Sequence, residues 1–178
     1  YIVAGLLFCR PSNDDSNGTL ESMVTSALKI MAIVWIHDFL YWYVHKTMHS
    51  CPEYYVHHKF HHKFHAHVPP SSANAVSTVE YLTAYVIPFA VAALMTRPTV
   101  VELDVAVALT SVANLALHTP ALVRVWPLLS LPCFVSTQGH LEHHKRLTCN
   151  YAAPIWNFDW ILQQTFGTDK DTLSSKQK

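Results

Sequence analysis

Long apolar stretches are the feature that most restricts the fold of this chain. Four of them occur, at Tyr1 to Cys9, Met23 to Val44, Tyr81 to Met95 and Val100 to Leu117. A helix needs about 20 residues to cross a bilayer, and Met23 to Val44 is long enough. We expect the first stretch to be the tail of a truncated membrane helix. The pattern as a whole predicts an all-α, membrane-embedded helical bundle.

The last two apolar stretches predict a helical hairpin. Thr96-Arg97-Pro98-Thr99 separates them and is a tight turn signal. Glu102, Asp104 and Asn114 make the second arm more polar, so a buried hairpin of a soluble protein is the alternative. The composition is 51% hydrophobic and 13% charged, which leaves too few charges for an ordinary soluble surface. The membrane hairpin is therefore preferred.

Charge predicts the orientation of these helices. Segments 45–80 and 118–178 contain nine of the 12 Lys and Arg residues, which places both segments on the cytosolic side by the positive-inside rule. The loop from Pro11 to Leu20 would then face the lumen, and its Asn17-Gly18-Thr19 matches a glycosylation acceptor. Because 12 acidic residues balance the basic ones, charge gives no indication of a nucleic-acid partner.

Histidine is the second unusual feature, since 13 occur and most lie in two clusters. An imidazole in an apolar chain is costly unless it has a partner or a metal. The motif HxxHH occurs at residues 58–62 and again at residues 140–144, and an HxxxH pair precedes them at residues 45–49. On a helix, positions i, i+3 and i+4 share one face, so two imidazoles of such a motif can converge on one metal while the third reaches a neighbour.

These motifs and one isolated histidine supply more imidazoles than one ion needs and suit two metal ions with open positions. The predicted ligands are His45, His49, His58, His61, His62, His118, His140, His143 and His144. A metal-bound imidazole needs an acceptor for its other N–H. The candidate carboxylates are Asp38, Glu80, Asp159 and Glu142. His37 is expected to be a polar neighbour of the site, and His57, His65 and His67 to be exposed.

The chain resembles the fatty acid hydroxylase/sterol desaturase superfamily. The resemblance rests on HDFLYWYVHKTMH, HHKFHH, HLEHHKRLTCNYA and a later FGT, from about residue 30 to 168. It implies one such domain over residues 1–178, truncated at its N-terminus, with a disordered tail at 169–178. Relatives are integral membrane di-iron enzymes, usually of the endoplasmic reticulum, that act on sterols or fatty acyl chains.

Two departures from the superfamily pattern bear on the subfamily. Ser77-Thr78-Val79-Glu80 replaces an HPxE-like element, so one family histidine is missing, and His65 or His67 is a possible substitute. The closing element reads Asn150-Tyr151-Ala152, then Phe158-Asp159, then the FGT at residue 166, with the usual Trp before the Asp replaced.

The resemblance implies an oxygen-dependent di-iron oxidoreductase that hydroxylates a fatty acyl or sterol-like lipid, with two Fe²⁺ as cofactors and O₂ as co-substrate. No glycine-rich nucleotide-binding motif occurs, so electrons are expected from a b-type cytochrome and its reductase. A sterol desaturase or methylsterol oxidase is the alternative within this class. A histidine-rich metal transporter or binding protein, or a non-catalytic relative, is the alternative outside it.

Overall fold

The fold is all-α, as the apolar pattern predicts. The computed structural model describes Cys9 and residues 19–65, 68–125 and 131–166. Within these ranges the only β-pairing is an isolated bridge between Phe134 and Trp156. The helices are α1 (Leu20–Ser50), α2 (Pro52–His58), α3 (Thr78–Thr96), α4 (Val100–Leu117), α5 (Thr137–Arg146) and α6 (Phe158–Phe166), with short 3₁₀ turns at His61–Phe64, Pro70–Asn74 and Pro120–Arg124.

Helix α1 is the longest element and links the membrane to the histidine clusters. It begins where the Thr19 side chain accepts a hydrogen bond from the Ser22 N–H at 3.3 Å. Its 31 residues rise by about 46 Å in total, which exceeds the roughly 30 Å of hydrocarbon in a bilayer. The C-terminal turns of α1 can therefore extend beyond the hydrocarbon, and they contain His45 and His49.

Helix α3 changes its winding partway along. Its residues Tyr81–Val86 form a π-helical segment, which is followed by regular α-helix from Ile87. Pro88 has no N–H to donate to the carbonyl four residues earlier, so the wider turn falls where a regular hydrogen bond is impossible. This segment lies between the apolar span and Glu80, which is buried.

The predicted hairpin of α3 and α4 is confirmed. Helix α3 ends at Thr96, and Arg97 adopts a left-handed conformation with φ 47° that turns the chain. Thr99 then begins α4 with a capping box, because its hydroxyl accepts from the Glu102 N–H at 3.2 Å and the Glu102 carboxylate accepts from the Thr99 N–H at 2.7 Å. The reciprocal bonds fix the start of α4.

Helices α1, α3 and α4 pack through small and branched side chains and expose large ones. Ile33 of α1, Ala92 and Ala93 of α3 and Ala106 of α4 are fully buried in one cluster. Large apolar side chains point outwards along the same three helices. All three are long and apolar enough to cross a membrane, and outward apolar faces suit contact with lipid better than the soluble alternative. The exposed set includes Met23, Leu28, Met31, Leu94, Met95, Val101, Leu109 and Val112.

Several sequence expectations fall outside the described residues. These are the apolar stretch before Cys9, the glycosylation pattern at Asn17, His67, the Gly167-Thr168 end of the FGT element and the tail at 169–178.

Candidate metal centre

The structure brings all nine predicted ligands together in two groups. In each group, one ring nitrogen from every histidine lies within 4.8 Å of the others. All but His49 are buried, and His49 is half-buried. The first group, called here the five-histidine group, is His45, His49, His58, His62 and His143, and the second, the four-histidine group, is His61, His118, His140 and His144.

Each HxxHH motif contributes to both groups. His58 and His62 belong to the five-histidine group, and His61 between them belongs to the four-histidine group. His140 and His144 belong to the four-histidine group, whereas His143 belongs to the other. Consecutive helical residues point about 100° apart, so two adjacent histidines cannot serve the same centre. This division is the one that the helical spacing predicts.

The five-histidine group brings Nε2 atoms unusually close to one another. The Nε2 of His58 lies 3.0 Å from that of His45 and 2.8 Å from that of His62. The Nε2 of His49 lies 3.2 Å from that of His45 and 3.1 Å from that of His62.

The other ring nitrogens show which tautomers these histidines adopt. The Nδ1–H of His45 donates to the Tyr151 carbonyl at 2.6 Å, and the Nδ1–H of His143 donates to the Cys149 carbonyl at 2.7 Å. Because a carbonyl oxygen only accepts, the proton of each ring lies on Nδ1. In these two rings Nε2 therefore presents a lone pair to the group.

In the four-histidine group one ring, that of His118, has such an acceptor. His118 lies just after α4, and its Nδ1–H donates to the Asn114 carbonyl at 2.8 Å. Its Nε2 lies 3.3 Å from that of His61, 3.1 Å from that of His140 and 3.2 Å from that of His144. His118 is thus the central member of this group.

Such converging lone pairs fit a metal ion and not a network of hydrogen bonds. Two nitrogens bound to one ion at about 2.1 Å lie roughly 3.0–3.4 Å apart at octahedral or tetrahedral angles. Six of the seven Nε2 separations given above lie in that range, and the seventh, between His58 and His62 at 2.8 Å, is shorter. Lone pairs held this close repel each other unless a cation lies between them, so the donor set fits one divalent metal per group.

The histidines also have the protonation state that a metal requires. Burial, and secondarily the neighbouring imidazoles, lowers the pKa of His61 to about 3. Burial lowers the pKa of His118 and of His143 to about 4. All three rings are neutral at pH 7 and present a free lone pair. Burial lowers the pKa below the ordinary range in the remaining histidines beyond the spans, which are His58, His62, His140 and His144.

The candidate carboxylates have different partners. Glu80 accepts from the Nδ1–H of His58 at 2.7 Å and so orients a ring of the five-histidine group. Asp38 instead accepts from His37 and from two backbone amides of the segment before α6. Asp159 accepts from Trp42 and from the Ala152 N–H. The hydrogen bonds of these two aspartates thus hold the chain around the centre and reach none of the nine rings.

The other histidines lie apart from both groups. His37 is buried two helical turns before His45, on the same side of α1. His57 is half-buried and His65 is exposed. Beside the altered Ser77–Glu80 element, the buried Glu80 contacts His58 of the five-histidine group. Of the two possible substitutes for the missing family histidine, His65 belongs to neither group and His67 lies outside the described residues.

The sequence motifs gave no sign of the carbonyl groups that orient the rings. Tyr151, Cys149 and Asn114 act here through backbone oxygens, which carry no residue-type signal. Asn150-Tyr151 belongs to the closing element of the sequence pattern. The Asn150 side chain donates to the Gly139 carbonyl of α5 at 3.1 Å and so fixes the loop that supplies the Tyr151 oxygen.

Comparison with known proteins agrees with this geometry. The sequence model of one protein family, described as Fatty acid hydroxylase, matches residues 30–165. That range contains both histidine groups and all three membrane-capable helices except the first ten residues of α1. No curated protein matches the chain, and no solved structure matches it.

Proposed function

The chain belongs to the fatty acid hydroxylase family, and from that premise we propose that it is an O₂-dependent di-iron enzyme that hydroxylates a membrane lipid. The family indicates an oxidoreductase of the hydroxylase or desaturase type. Three apolar helices long enough to span a bilayer make the chain an integral membrane protein. The identity of the metal, the use of O₂ and the lipid substrate are the proposal.

The observation that carries the proposal is the pair of converging imidazole groups. Nine neutral rings in two sets offer two divalent ions a donor set of nitrogen only. Imidazole suits iron among other transition metals, and adjacent groups suit a two-metal centre. The proposed iron ligands are the nine histidines of the two groups.

The protein's own residues would prepare this centre for oxidation. The carbonyls of Tyr151, Cys149 and Asn114 and the carboxylate of Glu80 hold the rings in fixed orientations. Such partners keep the tautomer that presents Nε2 and raise the basicity of the ligand. Burial of the rings excludes bulk water, which protects a reactive centre from side reactions.

Two iron ions in these groups would supply the redox chemistry needed to activate O₂ for attack on an unactivated C–H bond. The overall hydroxylation consumes one O₂, two electrons and two protons, and yields the alcohol and one water. The chain has no nucleotide-binding glycine motif, so we propose that a b-type cytochrome and its reductase deliver the electrons.

The membrane setting supports a lipid substrate and a location. A substrate that already resides in the bilayer can reach a site at the ends of membrane helices directly. The excess of Lys and Arg on the histidine side supports a cytosolic centre, and the endoplasmic reticulum is the proposed membrane. A fatty acyl or sterol-like lipid is the proposed substrate class, and desaturation is the alternative outcome of the same chemistry.

Lipid profiling of cells that express the chain tests the proposal. The expected result is a lipid product that carries one added oxygen, that depends on O₂ and that disappears in His143→Ala. His57→Ala, a histidine outside both groups, is the matched control and should retain the product. A lipid product with an added double bond and no added oxygen would instead support the desaturase alternative. A profile that His143→Ala leaves unchanged would contradict the enzyme proposal.

A further inference from the structure

A cavity lies directly beside the metal centre, on the membrane side of it. It has a volume of about 260 Å³ and is bounded by α1, α3, α4 and the Pro70–Asn74 turn. Tyr41 and Asn114 line it, and each lies one helical turn before a histidine of a group, His45 and His118 respectively. The cavity therefore lies one helical turn from a member of each group, which makes it a place where a substrate could approach them.

The cavity contains a buried histidine that the metal centre does not use. His37 lines the cavity and is 1% exposed. Its ring stacks on Phe89 of α3, with centroids 4.1 Å apart, and its Nδ1 lies 2.9 Å from the Asp38 carboxylate. Its Nε2 is buried and has no hydrogen-bond partner among the residues that the structure describes.

The partner at Nδ1 determines what the unpartnered nitrogen can accept or donate. Asp38 accepts from the N–H groups of Ile155 and Trp156 through one oxygen, at 3.0 and 2.9 Å, and this holds the carboxylate with its other oxygen facing the His37 ring. The ring proton of His37 is therefore on Nδ1, and Nε2 presents a lone pair. A buried acceptor without a donor is unfavourable.

An apolar pocket adjoins this cavity. It has a volume of about 60 Å³ between α3 and α4, and it shares Tyr81 and Phe89 with the larger cavity. Its other lining side chains are Val86, Ala90, Ala93, Leu103 and Val107. A cavity lined by both polar and apolar side chains that adjoins an apolar pocket within the spans matches an amphiphile and not a water-soluble ligand.

We propose that this cavity binds the substrate as a hydroxyl-bearing lipid whose O–H donates to His37 Nε2. The proposal rests on the proposed function, because it treats the cavity as the substrate site of the same centre. His45 follows His37 by two turns of one helix, about 12 Å along the axis. The carbon that is oxidised must then be remote from the bound hydroxyl group.

A matched pair of probes tests this assignment. Binding of radiolabelled 1-dodecanol and of its methyl ether is measured on the iron-loaded full chain, with protein-free micelles subtracted. The alcohol can donate a hydrogen bond and the ether cannot. We expect the wild-type chain to bind the alcohol about tenfold more tightly, as one buried hydrogen bond allows.

The variants separate His37 from general effects. In His37→Asn the amide replaces the Nδ1 donor to Asp38 and removes Nε2, so the preference for the alcohol should fall to within about twofold. His57→Asn makes the same change at a half-buried histidine that lines neither this cavity nor a metal group, and should keep the preference.

Two results would overturn the assignment. One is a wild-type chain that binds the ether as tightly as the alcohol. This result does not depend on the folding of any variant. The other is a preference that persists in His37→Asn. Iron content and O₂-dependent product are measured on the same preparations. A wild-type chain that prefers the alcohol but forms no O₂-dependent product would count against the proposed function and leave the hydroxyl site supported.

Discussion

The Nδ1 proton of each oriented histidine has a fixed acceptor, and this determines what the Nε2 atom can do. Glu80 has this role for His58, and backbone carbonyls have it for His45, His118 and His143. Sequence spacing predicted that the histidines within each motif would share one face of a helix. It could not predict the carbonyl partners, because a backbone oxygen is present at every residue and only the folded loop selects one.

Glu80→Gln should weaken the five-histidine group and leave the protein folded. The amide accepts a weaker hydrogen bond from His58, so metal affinity should fall by about 10- to 100-fold. Iron retention against a chelator measures the change. Glu142→Gln is the matched control, since that carboxylate pairs with Arg146 at the partly exposed surface of α5. Equal iron retention in both variants would show that Glu80 has no special role.

The lowered pKa values predict how the metal-free chain responds to acid. The unfolded chain takes up protons on histidine near pH 6.5, whereas the folded rings of His118 and His143 resist protonation until about pH 4. The unfolded state thus binds more protons between these values, so the free energy of unfolding should fall as the pH falls through this window. Chemical unfolding of the metal-free chain at stepped pH values measures it. A free energy that stays constant between pH 7 and pH 5 would contradict the burial of these rings.

Among the elements, α1 joins three parts of the molecule. Its lower half packs on the α3–α4 hairpin through Ile33 and Val34, and its upper half carries His45 and His49. Between them, Asp38 accepts from the backbone of Ile155 and Trp156 and so ties α1 to the segment before α6. The sequence placed Asp38 beside the metal ligands because it lies two turns before His45. The structure turns its carboxylate towards His37 and that segment instead.

Asp38→Asn should destabilise the contact between α1 and the segment before α6. One carboxylate oxygen becomes an N–H₂ group, which cannot accept a hydrogen bond. Either the bond from the His37 Nδ1–H or the two bonds from the backbone amides are then lost, because they use different oxygens of Asp38. The expected loss is about 1–3 kcal/mol in the free energy of unfolding. Denaturant titration of the purified variant measures it, with Asp104→Asn on the exposed face of α4 as the control. Equal stability of the two variants would show that the Asp38 bonds contribute nothing.

For the whole molecule, apolar stretches and turn signals were sufficient to predict an all-α fold with a membrane hairpin. The three spans agree with the structure because length, hydropathy and the Thr96–Thr99 turn are local properties. The cavity lined by His37, Tyr41 and Asn114 could not be predicted. It depends on how α1, α3 and α4 pack, and packing distances are not encoded in any one segment.

The proposed orientation predicts that Cys51 is accessible from the cytosolic side of the membrane. Cys51 follows α1 on the histidine side and is half-buried. In sealed microsomes, whose outer face is cytosolic, a chain that retains only Cys51 should react with a membrane-impermeant maleimide before detergent is added. Labelling in detergent is the control for reactivity. Labelling that requires detergent would place the histidine groups in the lumen.

The central claim is that the two histidine groups each hold an iron ion, and iron content tests it most directly. Purified chain, expressed with iron available, should contain about two irons per chain. A variant with alanine at all members of the four-histidine group should retain about one, provided that it stays folded by thermal unfolding. A wild-type chain with stoichiometric zinc and no O₂-dependent activity, or with no bound metal at all, would contradict the account.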